Sequence, residues 1–517
     1  MNRSINIVFV LCLCLSTLIA QEKVNHYKAP TWASEWGAPT VHPDRIVLNL
    51  TEDPSNSMNV AWRTSTDAST AYAEIAIATA APKFWRNAIR IKATTETLDL
   101  SDVPRAGVKS NYHSVNFVNL EANTTYGYRV GDGDHWSEWI HFKTAAQSEA
   151  PFSFLYVGDA QNYVLELWSR LIRQGYKSNP DAAFIIHAGD LINNANNDKQ
   201  WNEWFEAGGF IHRMVPSIAI PGNHEYAALK DGEARQLSLY WRPQFNLPLN
   251  GPEALAETTF YVDYQNTRFI GLNTNVDNAE QVVWLENVLK NNPNKWTIAT
   301  FHHPLFSASG GRDNEALRKI LKPIFDKYHV DLVLQGHDHS YARGRVSPPE
   351  YNMMSGVNKL DQTGTVYVVS VSGGKMYNLR ENAWEGWGAE RERAAENTQL
   401  IQSISIDGNR LSFESITATG ELYDAFDIIK NDSGPNTFVE LRGNAIPARY
   451  HNNTISYYDS LPLELAQKVK TRYADHEIVR INQSVKEGQV IYNVRLRDAE
   501  KVLKNISIDL EGNIIKR

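Results

Sequence analysis

Cysteine is almost absent from this chain of 517 residues, in which only Cys12 and Cys14 occur. Both lie in an apolar N-terminal run, so the rest of the chain has no disulfide to stabilise it and must depend on its hydrophobic cores. The sequence also lacks a block of basic residues, and its net charge is -8. It therefore carries no electrostatic footprint for nucleic acid. After the N-terminus, no apolar run is long enough to span a bilayer.

The first 20 residues predict a secretory signal peptide. Arg3 supplies a positive charge, and the apolar run that follows, of about 13 residues, is too short to cross a membrane as a helix. A short membrane anchor is the alternative. We expect a secreted protein without a transmembrane span after signal removal. The missing cysteine favours the periplasm or cell surface of a Gram-negative bacterium.

Hydrophobic periodicity changes along the rest of the chain and predicts a multidomain protein. Short alternating runs predict an all-β sandwich first, strands alternating with helices predict an α/β layered domain next, and a helix followed by a strand meander predicts a small α+β domain last. Leu120, Thr124 and Tyr126 have the spacing of a tyrosine corner, in which a tyrosine hydroxyl bonds to upstream backbone. The predicted bounds are 21–38 for a linker or arm, 39–146 for the sandwich, 150–430 for the α/β domain and 445–517 for the last domain.

Five apolar strands of the α/β region end in residue types that bind metals. Taken singly, each strand end would be interpreted as a turn, because Gly, Asn and Asp favour turns. Ligands bind at the carboxyl ends of parallel strands, so the five ends should converge. Carboxylates with imidazoles suit Fe, Zn or Mn. The strand ends are Gly158-Asp159, Gly189-Asp190, Gly222-Asn223-His224-Glu225, His302-His303-Pro304 and Gly336-His337-Asp338-His339.

This series of strand ends resembles the signature of the calcineurin-like metallophosphoesterases. With the N-terminal sandwich, which resembles a fibronectin type III domain, residues 39–430 resemble the purple acid phosphatases. The last domain resembles the PepSY modules of exported proteins. The resemblance implies a four-layer αββα catalytic domain with two metal ions. It also implies hydrolysis of a small phosphate monoester by a metal-bridging hydroxide, without a covalent phospho-enzyme.

The resemblance also implies a role for each candidate residue. His224 would face the substrate, where it stabilises charge or protonates the leaving alkoxide. The alternative is a histidine that only holds its loop in place. The implied metal ligands are Asp190 as the bridge, Asp159 and His339 at one metal, and Asn223, His302 and His337 at the other.

Some positions depart from the family pattern or leave two interpretations open. Purple acid phosphatases carry a tyrosine three residues after the bridging aspartate, whereas Asn193 stands here, so the metal identity stays open among Fe, Zn and Mn. Gln161 replaces a histidine of other families; its amide either contacts the metal or a bound water, or bonds only to backbone. Arg312 either contacts substrate phosphate or is a solvated residue beside a helix that Asp313 caps. His303 either faces the site or is buried.

Three other functions remain possible at this stage. A phosphodiesterase would use the same metal ligands. A non-catalytic surface protein could retain the fold, although a decayed site usually loses ligands. The terminal domains could also carry the function, with the middle as scaffold. The sequence predicts no partner for the C-terminal domain.

Overall fold

The computed structural model describes residues 37–103, 106–230, 232–276, 279–346, 362–441, 454–455, 461–486, 489–498 and 502–515. The predicted signal peptide and most of the predicted arm lie outside these residues. Within the described ranges, no helix is both long enough and apolar enough to cross a membrane.

The N-terminal region is a sandwich of antiparallel strands. The strands are β1 (Asp44–Asn49), β2 (Met58–Thr64), β3 (Tyr72–Ile77), β4 (Ile89–Lys92), β5 (Thr94–Asp99), β6 (Lys109–Phe117), β7 (Thr125–Gly131) and β8 (Ile140–Lys143). One face has the strand order β1-β2-β6-β5, and the other has the order β4-β3-β7-β8. Trp62, Phe117 and Tyr128 are buried between them. The Tyr126 hydroxyl accepts a hydrogen bond from the backbone N–H of Glu121 at 2.8 Å, which confirms the tyrosine corner.

The middle region contains both strands and helices. The strands are β9 (Phe152–Val157), β10 (Ile185–His187), β11 (Ser217–Ala219), β12 (Tyr226–Ala227), β13 (Gln236–Leu237), β14 (Phe260–Tyr264), β15 (Thr267–Leu272), β16 (Trp296–Phe301), β17 (Leu332–Gln335), β18 (Tyr341–Arg345), β19 (Gln362–Thr363), β20 (Val366–Val369), β21 (Glu390–Ala395), β22 (Leu400–Asp407), β23 (Arg410–Thr417), β24 (Leu422–Ile429) and β25 (Asn436–Glu440). The helices are α1 (Ser169–Ser178), α2 (Asp198–Gly208), α3 (Phe210–Met214), α4 (Trp241–Gln244), α5 (Ala279–Lys290) and α6 (Glu315–Tyr328). The sheet strands run on to Glu440, beyond the predicted domain end at 430.

Two sheets of this region face each other and are covered by helices. One has the order β19-β25-β24-β23-β22-β9-β10-β11, and the other has the order β14-β15-β16-β17-β20-β18-β21. Apolar side chains of both sheets share one core, which also includes residues of α1 and α2. The outer face of the second sheet packs against α5 and α6. This arrangement confirms the four-layer αββα prediction.

The N-terminal sandwich is continuous with the first of these sheets. Strand β1 pairs in parallel with β11, with Asn49 opposite Ser217. The guanidinium of Arg45 lies 2.8 Å from the carboxylate of Asp198 at the start of α2. Backbone pairing and a buried ion pair therefore hold the sandwich beside the sheet that carries Asp190.

The C-terminal region is a helix against an antiparallel sheet, as its pattern predicted. The helix is α7 (Leu463–Arg472), and the strands are β26 (Thr454–Ile455), β27 (Glu477–Lys486), β28 (Gln489–Arg497) and β29 (Leu503–Ile508). Leu465, Val494 and Ile506 belong to its separate core. Arg495 of β28 forms an ion pair with Glu381 of the middle region.

Candidate metal centre

The predicted ligand residues follow the carboxyl ends of strands from both sheets. In the first sheet, β9, β10 and β11 are parallel, and in the second sheet β16 and β17 are parallel. All the predicted metal ligands therefore come together at one edge of the two facing sheets of the middle region. Asp159 follows β9, Asp190 follows β10, Asn223 follows β11, His302 follows β16, and His337 and His339 follow β17.

Two glycines allow these loops to approach one another. Gly189 has φ +88°, and a Cβ atom there would lie 2.5 Å from Nδ1 of His302. At Gly222, a Cβ atom would lie 2.2 Å from Oδ1 of Asp190. A side chain at either position would displace a candidate ligand, so the contact between the loops requires glycine.

Asp190 presents its two oxygens to different partners. Oδ1 accepts a hydrogen bond from the backbone N–H of His224 at 2.8 Å. Oδ2 accepts a hydrogen bond from the Gln161 amide at 2.8 Å and lies 3.2 Å from Nε2 of His302. The backbone N–H of His224 occupies Oδ1. Oδ2 is therefore the oxygen that lies among side chains and that two cations could share.

One set of ligand atoms surrounds Nε2 of His302. This atom lies 3.2 Å from Asp190 Oδ2, 3.2 Å from Asn223 Oδ1 and 3.1 Å from His337 Nδ1. Metal–ligand bonds of about 2.1 Å place neighbouring ligand atoms about 3.0–3.4 Å apart. His302 donates its Nδ1–H to the carbonyl of Ala188 at 2.9 Å, which leaves Nε2 for a metal. The four atoms therefore fit one cation.

Oδ2 of Asp159 and Nε2 of His339 form another set of ligand atoms. Oδ1 of this fully buried carboxylate accepts the backbone N–H of His337 at 2.6 Å. Oδ2 lies 3.3 Å from Nε2 of His339 and has no hydrogen-bond partner among the described residues. His339 donates its Nδ1–H to the carbonyl of Lys375 at 2.9 Å. A buried carboxylate oxygen without a partner is unfavourable unless it binds a ligand, so this set also fits a cation.

Glu225 is a site residue that the sequence analysis quoted but did not interpret. Its buried carboxylate accepts backbone N–H groups from Asp190 at 2.8 Å, Leu191 at 2.8 Å and Gly222 at 2.7 Å. It therefore ties the loop after β10 to the loop after β11. The spacing of three residues from Gly222 is that of a capping box, which is the signal that could have identified it.

Negative charge is concentrated in this centre. Burial raises the pKa of Asp159 to about 7 and that of Glu225 to about 8, with the charge of Asp190 adding to both shifts. Burial alone would also raise the pKa of Asp190, but the imidazole of His302 holds it below the ordinary value. Three buried carboxylates thus face few positive charges, and bound cations would stabilise all three in the ionised form.

His224 is oriented by the backbone of Asn193. The Nδ1–H of His224 donates to the Asn193 carbonyl at 2.6 Å, and Nε2 lies 4.0 Å from Oδ2 of Asp190. The side chain is 27% exposed, so Nε2 is accessible from the open side of the centre. Asn193 acts here through its backbone carbonyl.

Gln161 is fully buried and points into the centre rather than to backbone. Its amide N–H₂ bonds to Oδ2 of Asp190, while its Oε1 atom has no hydrogen-bond partner within the described part of the chain. The interpretation as a residue that bonds only to backbone is therefore wrong.

Arg312 lies beside the centre and is not a solvated residue at a helix start. Its Nη2 atom donates to the carbonyl of His337 at 2.7 Å, and its guanidinium lies 5.0 Å from the ring centroid of Tyr377. The alternative with a capping Asp313 is also wrong, because Asp313 pairs with Arg318 at 2.5 Å and α6 has no side-chain cap.

His303 is half-buried beside the set of ligand atoms that surrounds His302. Its Nδ1 atom lies 2.9 Å from Oγ1 of Thr274, and its ring lies 4.5 Å from the ring of His337. Burial lowers the pKa of His303 to about 3, so its imidazole is neutral near pH 7. It faces the site, although it belongs to neither set of ligand atoms described above.

Comparison with known proteins identifies two family models in the chain. Residues 152–341 match the model described as calcineurin-like phosphoesterase, and residues 43–144 match the N-terminal domain of purple acid phosphatases. The phosphoenolpyruvate phosphatase of Allium cepa is 27% identical over 283 residues, which are 51% of this chain and 57% of that protein. The Fe(3+)-Zn(2+) purple acid phosphatase 12 of Arabidopsis thaliana is 27% identical over 285 residues, 50% of this chain and 58% of that protein. The chain thus spans less than two thirds of the length of these relatives.

A solved structure supports the same fold. The purple acid phosphatase PPD1 from yellow lupin (Lupinus luteus) seeds superposes with a TM-score of 0.61 at 18% identity, covering 79% of this chain and 77% of that chain. At this identity the likeness concerns the fold alone.

Proposed function

We propose that this chain, which belongs to the purple acid phosphatase-like branch of the calcineurin-like phosphoesterases, hydrolyses small phosphate monoesters. One observation carries the proposal: one ligand atom each of Asp159, Asp190 and His302 lie within 4.8 Å of one another, at the edge where strands of both sheets end. The four-layer fold and the matches to both family models support it.

Two cations, chosen among Fe, Zn and Mn, fit the residues present. Bound there, they would lower the pKa of a water molecule and neutralise charge on the phosphoryl oxygens. The printed name of the Arabidopsis relative includes iron and zinc, which supports but does not assign a metal pair here. The residues proposed to hold the cations are Asp190 as the shared ligand, Asp159, His339 and Gln161 at the first position, and Asn223, His302 and His337 at the second.

Gln161 supplies a fourth ligand at the first position in this proposal. Rotation of its amide by half a turn exchanges nitrogen and oxygen and places the oxygen where the nitrogen now lies, 2.8 Å from Asp190 Oδ2. That spacing suits two oxygens on one cation. The first position would then match the second, which has four ligand atoms without any rotation.

His224 is proposed as the residue that delivers a proton to the leaving alkoxide. Since its Nδ1–H is committed to the Asn193 carbonyl, Nε2 is the atom that can face substrate. A proton held on Nε2 can pass to the leaving oxygen or donate a hydrogen bond to a phosphoryl oxygen. His303, whose imidazole is neutral and only partly buried, can add a contact to substrate beside His337.

The second candidate function is phosphodiester hydrolysis at the same centre. The ligand atoms suit both esters, because in either case the cations would neutralise negative charge on the phosphoryl oxygens. A non-catalytic binding protein that retains the fold is the remaining alternative.

Hydrolysis of phenyl phosphate and of diphenyl phosphate by the purified protein tests the proposal. The assay is run with Zn, Mn or Fe supplied, and Asp190→Ala serves as the control. We expect metal-dependent turnover of the monoester that Asp190→Ala abolishes. Preferential turnover of the diester would select the phosphodiesterase. A folded, metal-loaded protein that hydrolyses neither ester would select the binding protein.

We also propose that the chain is exported, to the periplasm or surface of a Gram-negative cell. The charge and apolar run of the first 20 residues support this proposal. N-terminal sequencing of the protein purified from its host tests it, and a mature chain that begins near Gln21 is the expected result. Retention of Met1 would contradict it.

A further inference from the structure

A short loop after β20 is bound to His339 at three points. The backbone N–H of Tyr377 donates to the His339 carbonyl at 2.8 Å, and the carbonyl of Lys375 accepts the Nδ1–H of His339 at 2.9 Å. The rings of His339 and Tyr377 lie 4.8 Å apart and meet edge to face. The side chains of Lys375 and Tyr377 are therefore placed directly beside the first cation position.

Two positive side chains contact the ring of Tyr377. Nζ of Lys375 lies 5.4 Å from the ring centroid, and Cζ of Arg312 lies 5.0 Å from the same centroid. Cation–π contacts of this kind hold long side chains near one position. We call Lys375, Arg312 and Tyr377 the cationic rim.

Within the described part of the chain, no acidic partner accounts for the position of Lys375. Arg312 lies 3.5 Å from a carboxylate oxygen of Asp338 and donates to the His337 carbonyl, so part of its role is to support the ligand loop. Lys375 is half-exposed, and among the described residues no ion pair involves it. Its ammonium group is therefore available to a ligand that enters from solvent.

We propose that the cationic rim binds a second anionic group of the substrate, a carboxylate or a phosphate close to the phosphate that is hydrolysed. The inference rests on the proposed function and adds the substrate class. The cations of the centre would neutralise the reacting phosphate, so a plain ester leaves the rim without a partner. An ester with a second negative group places that group against Lys375, where charge-assisted hydrogen bonds favour it.

The first test is the ratio of kcat/KM for 4-carboxyphenyl phosphate to kcat/KM for phenyl phosphate. We expect the wild-type protein to prefer the carboxylated ester and Lys375→Gln to reduce the ratio about tenfold, the loss of one hydrogen bond to a charged group. Lys375→Arg should retain the preference. Lys319→Gln, which removes a 73% exposed lysine from α6, is the matched control and should leave the ratio unchanged. An unchanged ratio in folded Lys375→Gln overturns the inference.

Two further measurements keep the inference testable without that variant or without turnover. If Lys375→Gln does not fold, the wild-type ratio must fall as salt is added, because the rim is partly solvated. A ratio insensitive to salt overturns the inference.

Calorimetry compares the binding of phosphonoacetate and methylphosphonate to the metal-loaded protein. Tighter binding of phosphonoacetate without turnover of any ester supports the rim and rejects the hydrolase. Equal binding of the two phosphonates overturns the inference about the cationic rim. The ester assay then decides separately whether the protein is a hydrolase.

Discussion

The two proposed cation positions share Asp190 but differ in their exposure to solvent. At the first position, Asp159 and Gln161 are 0% exposed and His339 is 1% exposed. At the second, His302 is buried, whereas Asn223 and His337 are only partly buried. The first position is therefore closed by protein, and the second forms the side from which a substrate can approach.

The loop after β20 accounts for this difference. The backbone N–H of Gly373 donates to the carbonyl of Asp159 at 2.7 Å, and the same loop continues to the contacts of Lys375 and Tyr377 with His339. At the second position, the Asn223 carbonyl is contacted by the exposed side chain of Arg235, and its neighbour His224 remains partly exposed. One loop thus separates a proposed cation position that protein closes from one that a ligand can reach.

The largest effect is expected from Asp190→Asn, which would break both positions at once. Asparagine keeps the shape but removes the charge that two cations share, so activity should fall by at least about a thousandfold and metal content should fall at both positions. Metal analysis and ester hydrolysis of the purified variant measure this. Asp427→Asn, at a buried carboxylate paired with Arg410, is the matched control. Full metal content in Asp190→Asn would contradict the shared ligand.

Glu225→Gln should weaken both positions to a smaller extent. Oε2 of Glu225 accepts from the backbone of Asp190 and Gly222, and Oε1 accepts from that of Leu191, so an N–H₂ group in place of either oxygen loses the bonds made there. The tie between the two loops is then weakened, and we expect metal affinity to fall about 10- to 100-fold. Competition with a chelator of known affinity measures it. Glu203→Gln, a buried carboxylate of α2, should leave the affinity unchanged. Equal affinities in Glu225→Gln and wild type would show that the tie is dispensable.

Metal removal by a chelator should proceed in two phases. The cation at the open position should leave first, and the cation under the loop after β20 should leave about tenfold more slowly, because release there requires local opening. Metal content after timed dialysis resolves the phases. Asn223→Ala should accelerate only the fast phase. A single phase in the wild-type protein would mean that the difference in burial has no kinetic consequence.

The smallest effect concerns a histidine of the core, in contrast to those of the centre. His212 stacks on Trp204 with centroids 3.9 Å apart, and burial lowers its pKa to about 3. An unfolded histidine has a pKa of about 6.5, so the stability due to neutral His212 is present above that pH and is lost as pH falls toward 3. Between pH 7.5 and pH 5.5 we expect the free energy of unfolding to fall by about 1 kcal/mol more in the wild-type protein than in His212→Leu.

Denaturant unfolding at pH 7.5 and at pH 5.5 measures that difference. His141→Leu, at an exposed histidine of β8, is the control and should keep the wild-type dependence on pH. Identical pH dependence in His212→Leu would show that His212 is not held neutral by the fold.

Residue type and position after a strand predicted which side chains would converge, and the family resemblance added their proposed roles as ligands. Asp159, Asp190 and His302 each follow an apolar run that became a parallel strand, so their convergence could be expected from topology alone. The tyrosine corner was predicted because its signal is local in sequence, whereas the four-layer fold was implied by the family resemblance. Glu225 was not interpreted, since its backbone partners at Asp190 and Leu191 are more than 30 residues away.

The sequence by itself determined which residue types stand at the ends of the central strands, because hydrophobic period and turn residues specify where each strand ends. Only the tertiary structure decided which oxygen of Asp190 is shared, that Gln161 turns to that oxygen, and that Lys375 and Arg312 meet at Tyr377. These contacts join loops that are distant in sequence, and their geometry depends on how the two sheets pack. Local patterns carry no information about that packing, and the division between a closed and an open cation position follows from it.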